Sequence, residues 1–145
     1  MAIVKDVSSA MSRNFKLLLY PDNEQHVQAA DKLKELFPDY LGILHKGIEG
    51  GKDHWHFAVS VGDVPMRGGT LARKLGLVND KLEPDCQFIR LVGGRMSGFL
   101  IYLTHLNQPD KEQYLPSDLF GSSAMLAEYG KAHNPENQPL LSNTC

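Results

Sequence analysis

The chain has 145 residues, 42% hydrophobic and 22% charged, which suits one globular domain with its own core and excludes a disordered or disulfide-stapled chain. Lys and Arg total 15 against 17 Asp and Glu, so no overall positive field advertises a nucleic-acid or anionic-membrane ligand, and any such binding has to use local patches. Cys86 and Cys145 stand in unlike contexts, as in a reducing cytoplasm; the longest apolar runs are too short to span a membrane, and the N-terminus lacks a secretory pattern.

Residues 1–13 read as a flexible leader. Residues 14–20, apolar and aromatic up to Pro21, form the first expected strand. Asp22 can cap a helix in which Val27, Ala30, Leu33, Leu36 and Phe37 recur at three- and four-residue spacing until Pro38. Residues 40–45 are a second strand, the glycine-rich 46–52 a turn and 54–61 a third strand, together a hairpin. Residues 66–77 read as a helix despite Gly68 and Gly69, 86–92 as a fourth strand and 95–106 as a further helix. From about Gln108 the text turns polar and proline-bearing. The domain is expected over 14–132, with 133–145 a linker-like tail leading to a domain outside this chain. This β-α-β-β-α-β-α order predicts an α+β fold: a mainly antiparallel sheet of about five strands with flanking helices, nearest to the ferredoxin-like topology.

The unusual residues are in the hairpin. Side chains alternate along a strand, so His54 and His56 point to one face, and Trp55 and Phe57 to the other. His45 ends the preceding strand, where the register can set it opposite or diagonal to that pair. Three imidazoles could then hold one ion, the alternative being structural histidines. A three-His site with an open position is a zinc pattern, whereas carboxylate or water oxygens favour Mg²⁺ or Mn²⁺. Glu49 and Asp53 are the nearby carboxylates, each also explicable as a solvated turn residue. On the last predicted helix Tyr102 shares a face with Gly98, His105 and Leu106; taken alone, it is a core tyrosine.

These segments, from Phe15-Lys-Leu-Leu-Leu-Tyr-Pro21 through Leu44-His45 and His54-Trp55-His56 to Tyr102-Leu-Thr-His105 and Lys111-Glu-Gln-Tyr-Leu-Pro-Ser-Asp-Leu119, span about residues 14 to 120. Their order and distances resemble the HUH endonucleases, most closely the replication initiators of small rolling-circle plasmids. The resemblance implies an HUH endonuclease fold in which His54 and His56 are the motif ligands, His45 is the upstream ligand and Tyr102 is the nucleophile. One departure stands out: where the plasmid relatives carry an aspartate three residues after the first ligand, this chain has Ile48. Glu49 is the candidate substitute; otherwise water completes a three-ligand set.

The resemblance further implies Mn²⁺ or Mg²⁺, with Zn²⁺ as the alternative, and nicking and joining of single-stranded DNA at an origin, exposed in a hairpin, through a 5′-phosphotyrosine link. His105 would either ease loss of the phenolic proton or, as favoured here, position the helix. Lys46 and Lys52 flank the hairpin, and Arg67, Arg73 and Lys74 form the best local basic cluster; all are candidate DNA contacts or simply solvated faces. Expected partners are origin DNA and host replication proteins, with homo-oligomerisation through a missing C-terminal domain. The competing readings are a relaxase-like mobilisation nuclease, a zinc hydrolase, and a non-catalytic metal- or nucleic-acid-binding module.

Overall fold

In a computed structural model of the protein, the residues described are 7–47, 51–92, 96, 99, 100, 103, 104 and 113–133. The elements run β1 (Met11–Ser12), β2 (Asn14–Leu19), α1 (Glu24–Leu36), β3 (Asp39–His45), β4 (His54–Ser60), β5 (Met66–Arg67), α2 (Gly68–Leu75) and β6 (Ile89–Leu91). A 3-10 turn at Pro116–Asp118, β7 (Phe120–Gly121) and α3 (Ser123–His133) follow. None of these helices is long and apolar enough to cross a membrane.

Five strands form one antiparallel sheet in the order β6-β2-β4-β3-β7. Read across the sheet from its β6 edge, the first four strands are the fourth, first, third and second of the sheet in chain order, the split βαβ arrangement expected. The α+β class and mainly antiparallel sheet are therefore as the sequence predicts. The sheet is covered on both faces. Phe15, Leu17, Leu19, Phe57, Val59 and Ile89 point to one face and pack against Ala29, Ala30 and Leu33 of α1 and Leu71, Ala72 and Leu75 of α2. Leu41, Ile43 and Ala58 point to the other, under Leu100, Leu103, Met125 and Tyr129.

Local chemistry explains most boundaries. In β2 every second residue is buried, as a strand with a covered face requires. The cap of α1 is Asn23, whose side chain accepts from the His26 N–H at 3.2 Å, one residue later than the Asp22 cap expected. The buried stripe of α1 is His26, Ala29, Ala30 and Leu33, and Leu36, expected in it, is 43% exposed. Gly76 ends α2 at φ 78°, a left-handed conformation that glycine adopts without Cβ strain.

Four expectations are corrected. The helix placed over 66–77 starts at Gly68, because Met66 and Arg67 pair with Ser12 and Met11. Part of the expected leader is consequently tied down: Gly68 and Gly69 donate backbone N–H groups to the Ala10 and Ser8 carbonyls, and Ala10 is buried. The strand over 86–92 contracts to Ile89–Leu91. The polar stretch after Gln108 contains β7 and α3, whose buried side is Met125 and Tyr129. In the helix expected at 95–106, Met96, Phe99 and Leu100 are helical and Leu103 and Thr104 form a turn; its other residues lie outside those described.

Candidate metal centre

The hairpin between β3 and β4 brings the three histidines together. Its register pairs His45 directly with His54 and Ile43 with His56, so all three imidazoles leave the sheet on one face while Trp55 and Phe57 pack into the other core. Ring centroids lie 5.5 Å apart for His45 and His54, 4.5 Å for His45 and His56, and 4.9 Å for His54 and His56. One ligand nitrogen from each residue falls within 4.8 Å of the others, so the set could hold a metal ion. His45 is buried; His54 and His56 are half-buried and keep one side of the site open.

Two of the rings have their tautomers set by backbone carbonyls. His45 Nε2–H donates to Leu103 O at 2.6 Å, which leaves its Nδ1 lone pair for a cation. His54 Nδ1–H donates to Lys52 O at 3.1 Å, which leaves Nε2. Such outer hydrogen bonds orient metal-binding imidazoles and raise their basicity. Nitrogens bound at about 2.1 Å around a tetrahedral ion are roughly 3.4 Å apart, so side-chain rotations of about 1 Å bring these three onto one cation. The residues fit a divalent cation with an open coordination position.

Aromatic rings flank the triad. Tyr114 stacks on His45, with centroids 4.8 Å apart and planes at 22°. Tyr20 meets His54 edge-on at 6.1 Å and stacks on His26 at 5.9 Å. Tyr114 sits in a segment the sequence singles out, but without a role; the Leu103 carbonyl carries no side-chain signal at all.

Among the described residues the metal-capable cluster is all histidine. Asp53 instead closes the hairpin turn: its Oδ1 accepts from the Gly47 N–H at 2.8 Å and its Oδ2 lies 3.6 Å from Lys46 Nζ. The Gly47 N–H, and then the Lys46 charge, hold this carboxyl below the usual aspartate range. Glu49, the candidate fourth ligand, lies outside the described residues, as do Tyr102 and His105.

The expected cationic contacts divide. Lys46 and Lys52 lie at the triad end of the hairpin, each paired with a carboxylate: Lys46 with Asp53, and Lys52 with Asp22 at 3.3 Å, its Nζ also 5.8 Å from the Tyr20 ring centroid. Arg67 and the α2 residues Arg73 and Lys74 are exposed, and α2 covers the sheet face opposite the triad. No family model matches the chain, and no curated protein is significantly similar to it.

Proposed function

We propose that the protein is a divalent-metal-dependent nickase and joinase of single-stranded DNA, acting at a rolling-circle replication origin with Tyr102 as nucleophile. One observation carries most of the weight. The three imidazoles converge on the face where His45 bonds the carbonyl of Leu103, and Leu103 follows Tyr102 directly in the chain.

In this reading the phenolic oxygen of Tyr102 attacks the scissile phosphorus and forms a P–O bond. The bond from phosphorus to the 3′ oxygen breaks, its electron pair leaves with that oxygen, and the oxygen takes up a proton while the phenol loses one. The products are a 5′-phosphotyrosine and a free 3′-hydroxyl able to prime synthesis. A bound divalent cation supplies charge withdrawal from the phosphate. His45, His54 and His56 would hold that cation, the carbonyl partners of His45 and His54 keep those two lone pairs aimed at it, and the half-buried side of the triad admits an unpaired strand. The phenol, with an ordinary pKa near 10, leaves more readily than an alkyl alcohol, so a DNA 3′-hydroxyl can reverse the step and rejoin the strand. Arg67, Arg73 and Lys74 are assigned to duplex phosphates beside the origin.

The test is incubation with hairpin oligonucleotides in Mn²⁺, followed by a denaturing gel. The wild-type chain should give a cut strand and a slower covalent protein–DNA band, and Tyr102→Phe should give neither. Cleavage without attachment would replace this reading with water-activating hydrolysis. Metal binding without any cleavage would leave a metal-holding module.

A further inference from the structure

We propose that Tyr114 is a positioning residue that sets the metal affinity of the centre by stacking its ring on His45. The proposal rests on the triad as a metal site and is independent of the DNA chemistry. His45 is gripped from two directions. At its edge, Nε2–H donates to Leu103 O at 2.6 Å; on its face, the Tyr114 ring lies 4.8 Å away and nearly parallel at 22°. The carbonyl sets which nitrogen is free, and the stacked ring limits rotation of the imidazole about its own axis. Together they hold Nδ1 towards His54 and His56.

Tyr114 is itself anchored at both ends. Its backbone N–H donates to Thr104 O at 3.1 Å, and its hydroxyl oxygen accepts from the Lys46 N–H at 2.9 Å. Thr104 is the neighbour of Leu103, so both partners of His45 hang from one two-residue turn. That turn is fastened to α3 by a 2.7 Å hydrogen bond between Thr104 Oγ1 and the Tyr129 hydroxyl. A ring held this firmly imposes its plane on its neighbour. There is also an electronic reason for an aromatic here: an imidazole that coordinates a cation gains positive charge, and the negative face of a phenol within about 6 Å stabilises it. A side chain of equal bulk without a π face lacks that effect.

The experiment titrates the full chain with Co²⁺ alone, followed by its visible absorption, for wild type, Tyr114→Phe, Tyr114→Leu and Tyr114→Ala. Circular dichroism and a metal-free melt of each variant run alongside. Wild type should take one Co²⁺ per chain. Phe keeps the ring and should stay within about threefold of wild type, while Leu and Ala should bind about tenfold more weakly with a shifted absorption band, the scale typical of outer-sphere partners. Phe and Leu both fill the space, so their contrast stands even where Ala does not fold. Leu matching wild type, or Phe falling as far as Leu, overturns the stacking role and leaves the triad intact. A wild-type chain that takes up no Co²⁺ and is indistinguishable from His56→Ala overturns the metal reading itself.

Discussion

His45 and Leu103 are joined by a 2.6 Å hydrogen bond across 58 positions of sequence. Each belongs to a different layer of the molecule: His45 ends a sheet strand, and the Leu103 side chain is fully buried in the core between that sheet and α3. The carbonyl orienting the imidazole is therefore held by apolar packing, and a change to that packing reaches the histidine triad without touching any of its three rings.

Leu103→Ala tests this link. Removing a fully buried leucine should cost about 2–5 kcal/mol in a urea melt and also weaken metal binding, since the carbonyl loses its support. Phe57→Ala, on the opposite sheet face, should cost about 3–5 kcal/mol with metal affinity little changed. Equal metal affinities in the two variants would refute the coupling.

Loss of one ligand should be far more costly to the ion than to the fold. His54→Ala and His56→Ala remove half-buried rings and should lower metal affinity by more than about 100-fold. Wild-type protein at a metal concentration of 100 times its Kd should gain about 2.7 kcal/mol of stability by mass action. Each variant should gain less than about 0.4 kcal/mol at that same concentration, as differential scanning calorimetry with and without metal will show.

His26 makes stability depend on pH. Its burial outweighs the attraction of Asp85 and Asp22 and lowers its pKa below the ordinary value near 6.5. Its Nδ1 also accepts the Tyr20 N–H at 3.0 Å, a bond that protonation there would destroy. Above the ordinary value both folded and unfolded chains hold this residue neutral. As pH falls below it the unfolded chain binds the proton first, so stability drops until the folded pKa is passed. Urea midpoints measured from pH 7.5 to 5 should therefore fall, and His26→Gln should fall less steeply.

Gly47 should tolerate no side chain. A Cβ there would collide with the Gly51 carbonyl oxygen across the turn that carries His45 towards His54. Gly47→Ala should cost about 1–3 kcal/mol and raise amide exchange rates at the turn end of the β3–β4 ladder. Unchanged exchange at Leu44 and Trp55 would show that the turn has room to spare.

Much of the site was legible beforehand because a strand has period two. That period alone separates His54 and His56 from Trp55 and Phe57, and a short glycine-bearing hairpin brings His45 alongside. The same alternation, with helical spacing in α1, predicts a mainly antiparallel sheet carrying helices. Tyr114 and the Leu103 carbonyl were not legible as partners of His45, because a stacked ring and a backbone oxygen leave no periodic trace. Nor was α3, since one buried pair, Met125 and Tyr129, is too sparse for an amphipathic pattern.

The linear chain by itself determined which side chains share a face and that the two histidine-bearing strands adjoin, since both follow from local geometry and the length of the turn between those strands. Only the folded protein decided which polar segment returns to cover the histidine face, and which carbonyl and phenol hold the first imidazole. Those contacts join residues 58 and 69 positions apart, and they form where burying Leu100, Leu103, Met125 and Tyr129 together removes apolar surface from water.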